Sequence, residues 1–371
     1  MLGAIIGDIV GSIYEFDNIR TKNFPLFSPR CFFTDDTVMT IAVYKALKKS
    51  KLFKYKHLQE QTIKQMQKYG KLYPNVGYGT FFKQWLNTKK PKPYNSYGNG
   101  SAMRISAVPY FAKSIDEVKK LAYQVSVVSH NHEEGIKGAE ATAISIWLAL
   151  NKNSKDQIKK YIQDNYYDLN FDYEDLVKNY KFNETCQNTV PQAIYCFLIS
   201  ESFEDCLRTS ISIGGDSDTL CAISCAIAEA YYGIPEDIKL KALQYLDNKL
   251  LSDYKNFEKF KRKNLRRKFM TSLTKEELLK LVTEVTENDN TLRDIVFDIV
   301  VKIINLPDKT TTSIAKLIDY KPEVFFVEPL MQGKVNRYVK LVCEKIEIHL
   351  ETPDSDKKIG GLAYFNEFTK Y

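Results

Sequence analysis

Two short aspartate-rich segments contain the candidate catalytic and metal-binding residues of this sequence. Thr34-Asp35-Asp36-Thr37 and, about 180 residues later, Gly214-Gly215-Asp216-Ser217-Asp218-Thr219 each precede an apolar helical pattern. Aspartate and threonine are common N-capping residues, but one aspartate is enough to cap a helix. Closely spaced carboxylates repel one another unless a cation lies between them. We therefore interpret the two segments as a metal site, with helix capping and surface carboxylates as the alternative.

The donor atoms indicate the class of metal. Carboxylate and hydroxyl oxygens suit Mg²⁺, Mn²⁺ or Ca²⁺ rather than zinc. The chain has only four histidines, with no HExxH spacing, and its seven cysteines form no CxxC pair. Because a chain of this length does not need disulfides, we expect reduced cysteines and a cytoplasmic protein.

The composition is typical of a soluble globular protein with one large and one small domain. Of 371 residues, 44% are hydrophobic and 27% are charged. The net charge of +7 is modest for this length, so nucleic-acid binding is possible but not favoured. The N-terminal MLGAIIGDIVGS is interrupted by Asp8 and has no basic region before it. It therefore predicts neither a signal peptide nor a membrane span.

Helical periodicity dominates the first 260 residues, in segments such as 37–49, 134–150 and 219–232. Alternating strand patterns are scarce before residue 320. The sequence thus predicts an all-α domain of orthogonal helices, with the chemistry in the loops between them. Gly3, Gly7 and Gly11 recur every four residues and leave one helical face nearly bare. Such a face permits very close packing, which predicts a buried central helix.

A basic segment marks the best domain boundary, and it contains Lys259, Lys261, Arg262, Lys263, Arg266, Arg267 and Lys268. We predict a large domain over residues 1–258 and a small, mainly helical module of unknown function over 259–371. VFFVE at 324–328 is a candidate short strand in that module. A basic run of this kind is usually a solvated helix face or a linker, with nucleic-acid contact as the alternative.

Six segments carry a more specific resemblance: GAIIGDIVGSIYEF (3–16), FFTDDTVMT (32–40), GNGSAMRISAV (98–108), SHNHEEGIKGA (129–139), CQNTVPQAIYCFL (186–198) and SIGGDSDTLCAISCAIAEAYYG (212–233). In this order they resemble the ADP-ribosylglycohydrolase family, which includes the enzyme that reactivates dinitrogenase reductase and the animal ADP-ribosyl-acceptor hydrolases. The resemblance covers roughly residues 1–255. It implies an all-α fold around a dinuclear metal cleft.

Carried over to this sequence, the resemblance implies two divalent cations, Mg²⁺ above all and Mn²⁺ as an alternative. One cation would be bound by Thr34, Asp35 and Asp36. The other would be bound by Asp216 and Thr219, with Asp218 shared between the two. Glu15 matches a glutamate beside the metals, which would be a further ligand or a gate and proton acceptor.

The resemblance also implies where the substrate lies. The loop that would wrap the diphosphate and ribose comprises Gly98, Asn99, Gly100, Ser101 and Met103. His130 matches a histidine that lines the cleft, and Gly215 would allow close approach of the ligand. Where many relatives have His-Pro-Glu, this chain has His132-Glu133-Glu134. This departure concerns the rim of the cleft rather than the metal site.

The implied reaction is hydrolysis of the glycosidic bond that joins ADP-ribose to an acceptor on a protein or another molecule. Asp36 is the expected base, with Glu15 second and Asp35 supplying charge beside the water. A glycosidase with two bare carboxylates is the metal-free variant. A metal-dependent phosphoesterase and a non-catalytic ADP-ribose-binding or structural protein remain alternatives. The acceptor and the oligomeric state are left open.

Overall fold

The computed structural model describes residues 1–51, 54–272, 275–287, 290–305, 337–339 and 341–342. Within these ranges there is no β-strand, and an isolated antiparallel bridge joins Gly98 to Thr185. The prediction of an all-α fold is confirmed. The candidate strand at 324–328 lies outside the described residues.

Sixteen helices lie in the described ranges: α1 (Leu2–Gly11), α2 (Asp35–Ser50), α3 (Leu58–Leu72), α4 (Thr80–Asn87), α5 (Gly100–Met103), α6 (Ile115–Ser126), α7 (Glu133–Leu150), α8 (Lys155–Asn165), α9 (Tyr173–Asn179), α10 (Cys186–Ile199), α11 (Phe203–Ser212), α12 (Ser217–Tyr232), α13 (Glu236–Leu243), α14 (Asn248–Ser272), α15 (Lys275–Val285) and α16 (Asn290–Asn305). A 3-10 turn at Val108–Phe111 lies between α5 and α6. None of the described helices combines the length and the apolar character needed to cross a bilayer.

The chain divides into two compact units, Met1–Lys259 and Phe260–Tyr371. The predicted basic segment is not a separate loop, because it forms part of the continuous helix α14. In the second unit, α15 and α16 pack against each other through buried apolar side chains such as Leu278, Val282 and Val296.

Helix α1 is the centre of the first unit, and all ten of its residues are buried. It packs along α12 with backbone against backbone. A Cβ at Gly3 would overlap the carbonyl oxygen of Cys225, and one at Gly7 would overlap that of Cys221. At Gly11 a Cβ would lie 2.6 Å from Cα of Asp218. The predicted close packing of a buried central helix is therefore confirmed. It sets the end of α1 directly against the start of α12.

The helices around this pair are held by apolar packing, with α7 and α10 in contact with α12 and with each other. No disulfide joins the six cysteines that the structure describes, and all six are buried. A buried Asp253 near the start of α14 pairs with Lys45 of α2 at 2.7 Å and with Lys249. Tyr69 of α3 also donates to Asp253, so this ionic cluster fastens α14 to α2 and α3.

Candidate metal centre

The two aspartate segments, far apart in sequence, meet where α2 and α12 begin. The Thr219 hydroxyl donates to Oδ2 of Asp36 at 3.4 Å, which joins the first turns of the two helices. Glu15, in the loop after α1, completes the cluster, because ligand atoms of Glu15, Asp216 and Asp218 all lie within 4.8 Å of one another. Helix N-termini favour negative charge, so their convergence creates a place where several carboxylates can gather.

Helix capping does not account for these carboxylates. At the start of α2 the capping group is the Thr34 side chain, which accepts a hydrogen bond from the backbone N–H of Asp36. Asp216 occupies the N-cap of α12, yet its side chain makes no capping hydrogen bond. Asp218 accepts the backbone N–H of Thr219 at 2.9 Å, but capping gives no role to the side chains of Asp36 and Asp216.

The loop that carries Glu15 is fastened to the turn that precedes Asp216. Asn18 accepts a hydrogen bond from the backbone N–H of Gly215 at 2.7 Å and donates one to its carbonyl at 2.9 Å. Gly214 and Gly215 have φ of +71° and +78°, a conformation that glycine adopts without strain. The space over both glycines is filled by this protein's own side chains. A Cβ at Gly215 would overlap the Tyr180 ring, and one at Gly214 would lie 2.6 Å from Cζ of Arg20.

Burial and mutual repulsion raise the pKa of every carboxyl in the cluster. Desolvation, followed by the charge of Asp218, raises the pKa of both Asp35 and Asp36 well above its ordinary value. Burial and the neighbouring Asp216 raise the pKa of Asp218 in the same direction. Burial, with Asp218 and other acidic neighbours, raises the pKa of Glu15 to about 8, and burial raises that of Asp216 to about 6. Ionisation of the whole cluster is therefore unfavourable unless a cation binds to it.

The ion pairs found in the part of the chain that the structure describes join other carboxylates, although the buried guanidinium of Arg104 lies near enough to Asp35 for their charges to interact. Asp36 is only 3% exposed, and its Oδ1 has neither water contact nor a hydrogen-bond partner within the protein. An unpaired carboxylate oxygen in such a place is costly unless a cation binds it. The donor set consists of oxygen atoms, which is the set that Mg²⁺ and Mn²⁺ prefer. The residues present thus fit divalent cations.

Residues 98–103 lie beside the cluster and are joined to the segment before α10. The backbone N–H of Asn99 donates to the Glu184 carbonyl at 2.7 Å. The side-chain amide of Asn99 donates to Oδ2 of Asp216 at 2.6 Å and to the Thr189 hydroxyl at 3.1 Å. Asn99 was expected to contact the substrate, and in the structure its amide also positions an aspartate of the cluster.

Other residues of this loop are directed into the protein. Ser101 is fully buried, and its hydroxyl donates to the Gly135 carbonyl at 2.6 Å. Met103 is buried, and its Cε would lie 3.9 Å from a Cβ at Gly100. Gly100 and Gly98 also face Nε2 of His130, at 3.3 Å and 3.7 Å from the Cβ position of each. The absence of side chains at these glycines lets His130 pack closely against the loop.

His130 is a buried, neutral imidazole. Burial and the nearby Arg104 lower the pKa of His130 well below its ordinary value. Its Nδ1 lies 2.8 Å from the Ser129 hydroxyl, which accepts a hydrogen bond from Arg104 at 2.9 Å. His130 therefore offers shape and hydrogen bonding beside the loop rather than positive charge.

Sequence reasoning missed Asp8 as a member of this site. Asp8 lies in α1, is fully buried, and accepts hydrogen bonds from the backbone and the hydroxyl of both Thr34 and Thr37. Burial raises the pKa of Asp8 to about 6, although these hydrogen bonds act to lower it. A single carboxylate among apolar and glycine residues was the available signal, because a buried acid requires partners.

Comparison with known proteins agrees with this geometry. A model of the ADP-ribosylglycohydrolase family matches residues 1–275. ADP-ribosylhydrolase ARH3 of Homo sapiens is 27% identical, over 68% of this chain and 90% of its own length. ARH3 of Mus musculus is 26% identical, over 64% and 83%. A solved structure, an ADP-ribosylglycohydrolase-related protein complex, shares the fold with a TM-score of 0.51 at 21% identity, over 71% of this chain and 93% of that one.

Proposed function

This chain belongs to the ADP-ribosylglycohydrolase family, and we propose that its carboxylate cluster holds two divalent cations that assist the removal of ADP-ribose from an acceptor. The chain is accordingly a glycosyl hydrolase that acts on an ADP-ribose linkage. The observation that carries the proposal is the convergence of buried and half-buried carboxylates that form no ion pair among the described residues, with Oδ1 of Asp36 unpaired.

The proposed ligands divide between the two helix starts. Thr34, Asp35 and Asp36 would bind one cation, Asp216 and Thr219 would bind the other, and Asp218 would be shared. The link between the Thr219 hydroxyl and Asp36 supports such an arrangement, because it brings the two sets within reach of each other. Mg²⁺ is the expected cation, with Mn²⁺ as the alternative.

Bound cations would fix the vicinal hydroxyls of the distal ribose and lower the pKa of a nearby water. Asp36 would accept the proton of that water as the water oxygen bonds to the anomeric carbon. The bond from this carbon to the acceptor breaks, and the acceptor leaves with its electron pair and takes up a proton. Glu15 is the second candidate for the proton acceptor, and Asp35 adds negative charge beside the oxocarbenium-like carbon.

The proposed substrate contacts come from the other side of the cleft. The loop of Gly98, Gly100, Ser101 and Met103 would wrap the diphosphate, with His130 beside it. The hydrogen bond from Asn99 of the same loop to Asp216 supports this placement, because it puts the loop beside the carboxylate cluster. Gly215 is the weakest of the proposed contacts, because Tyr180 covers its α-carbon and Asn18 binds both its N–H and its carbonyl. An ADP-ribosylated protein is the expected partner, and a reducing cytoplasm suits the buried, unbridged cysteines.

One incubation tests the function. Protein ADP-ribosylated on arginine or on serine is mixed with the enzyme in Mg²⁺, in Mn²⁺ or in EDTA, and the products are separated by chromatography. We expect free ADP-ribose in the presence of either cation and none in EDTA. Release of AMP instead would support the phosphoesterase alternative, because that enzyme cleaves the diphosphate. Binding of ADP-ribose without any product would support a non-catalytic role.

A further inference from the structure

The Asp8 carboxylate accepts hydrogen bonds from the two threonines that flank Asp35 and Asp36. Thr34 donates through its backbone at 2.9 Å and through its hydroxyl at 2.7 Å. Thr37 donates through its backbone at 3.1 Å and also through its hydroxyl. Four donors surround one fully buried carboxylate, and all of them come from a single helix start. A carboxylate satisfied in this way is well suited to hold a segment and poorly suited to bind a cation.

The hydrogen bond that the Thr34 hydroxyl donates to Asp8 also orients that hydroxyl. Because the hydroxyl hydrogen is directed to Asp8, what Thr34 can offer to another group is oxygen alone. One lone pair accepts the backbone N–H of Asp36 at 3.3 Å, and the second remains. A threonine oxygen can bind a cation only when its hydrogen points elsewhere. Asp8 provides that condition for the proposed ligand Thr34.

Asp8 and Gly11 stand about one turn apart on α1, and each contacts one of the two aspartate segments. Asp8 holds the start of α2, while Gly11 lies against the start of α12, where a Cβ would meet Cα of Asp218 at 2.6 Å. Helix α1 is rigid over this short distance because its residues are all buried. It therefore fixes the separation of Asp36 from Asp218.

We propose that Asp8 is a positioning residue of the cation site, which orients Thr34 and sets Asp35 and Asp36 at a fixed distance from Asp218 without binding the cation itself. This inference rests on the cation site of the proposed function. It predicts that Thr37, which touches Asp8 and is not among the proposed ligands, contributes to cation affinity through Asp8. A purely structural Asp8 would affect stability alone.

The test measures Mn²⁺ affinity of the full-length protein by calorimetry, with no substrate present. Thr37→Val removes one donor to Asp8 without changing the size of the side chain, and Thr37→Ser keeps that donor. Outer partners of metal ligands commonly contribute about 10–100-fold in affinity. We expect Thr37→Val to weaken Mn²⁺ binding about tenfold, Thr37→Ser to stay within about twofold, and Asp8→Asn to weaken it more than Thr37→Val.

Asp253→Asn is the matched control, because Asp253 is also a buried aspartate with several donors but belongs to the α2–α3–α14 ionic cluster. It should lower the melting temperature and leave Mn²⁺ affinity unchanged. If Asp8→Asn does not fold, Thr37→Val still decides. Wild-type affinity in Thr37→Val would overturn the inference while leaving the cation site intact. A wild-type protein that binds no Mn²⁺ would instead contradict the proposed function.

Discussion

The side-chain amide of Asn99 donates a hydrogen bond to Oδ2 of Asp216 over 2.6 Å, although the two residues are 117 positions apart. The same amide donates to Thr189, so its orientation is fixed from two sides. A donor of this kind stabilises the ionised carboxylate and opposes the rise in the pKa of Asp216 that burial causes. The loop that we propose to wrap the substrate therefore also orients an aspartate of the proposed cation site.

Replacement of Asn99 by aspartate should weaken cation binding. Asn99→Asp puts a carboxylate against Asp216 where a donor stood, so the pKa of Asp216 rises further and protons compete with the cation. We expect Mn²⁺ affinity near pH 7 to fall about tenfold or more, with partial recovery at higher pH. Asn188→Asp, at an exposed asparagine on α10, is the control. Equal affinity of Asn99→Asp and wild type would show that the hydrogen bond does not prepare the site.

Removal of single carboxylates from the cluster should abolish turnover and preserve the fold. Asp36→Ala and Asp218→Ala each remove a charged ligand, and we expect the rate of ADP-ribose release to fall by at least about 10²-fold. The fold should persist, because neutralisation relieves repulsion between buried carboxylates. Asp164→Ala, at an exposed i,i+4 pair with Lys160, should leave the rate unchanged. Full activity with undiminished cation affinity in Asp218→Ala would rule out a site shared by both segments.

The raised pKa values predict an unusual pH dependence of stability in the cation-free protein. The folded protein holds protons on Glu15 and Asp216 up to pH values of about 8 and about 6, whereas the ordinary values are 4.5 and 3.8. The folded state therefore binds more protons than the unfolded state in this window, and stability falls as pH rises. The stabilisation that these bound protons give to the folded state is complete below about pH 4 and is lost as pH passes through 6 to 8.

Differential scanning fluorimetry in EDTA between pH 5.5 and 8 tests whether stability falls as pH rises. We expect the melting temperature to decline with pH, and Mg²⁺ to flatten the decline because it replaces the protons. Asp218→Asn should flatten it without Mg²⁺ and raise the melting point at pH 8. About 1 kcal/mol moves the midpoint by roughly 2–4 °C in a domain of this size. If the melting temperature fell equally steeply with pH in wild type and in Asp218→Asn, the pH dependence would not come from the carboxylate cluster.

Local patterns predicted much of this fold, and contacts between distant segments account for what was missed. The spacing of Gly3, Gly7 and Gly11 predicted close helix packing, because a bare helical face has few other uses. The pattern did not identify the partner, which is the backbone of α12. The donors to Asp8 lie 26 and 29 positions away, so no local spacing indicates its role. The ligand and substrate assignments remain predictions.

A substitution on the glycine face of α1 tests whether this helix packs directly on the backbone of α12. Gly7→Ala would place a methyl group on the carbonyl of Cys221, and backbone atoms cannot yield as a flexible side chain can. We expect a loss of stability of at least about 1–3 kcal/mol, measured by urea unfolding, together with weaker Mn²⁺ binding because α1 spaces the two aspartate segments. Gly79→Ala is the control, since a Cβ there meets nothing within 4 Å. A Gly7→Ala protein as stable as Gly79→Ala would contradict the packing of α1 on α12.

The basic segment in α14 should assist the choice of a macromolecular target. Its residues all belong to the single helix α14, so positive charge is concentrated over a short length of the chain. Such a concentration of charge attracts an acidic protein surface or a phosphate backbone, and this attraction weakens as salt is added.

Changing Lys261, Arg262, Lys263, Arg266, Arg267 and Lys268 to glutamine therefore separates target binding from catalysis. We expect a higher KM for an ADP-ribosylated protein and a flatter dependence of that KM on salt. Hydrolysis of a small ADP-ribosylated peptide should be unchanged, because the carboxylate cluster is built from other helices. Changing three exposed lysines of α3, Lys64, Lys68 and Lys71, to glutamine is the control for loss of positive charge elsewhere on the surface. If both variants keep wild-type kinetics on the large substrate, the basic helix serves the architecture of the chain alone.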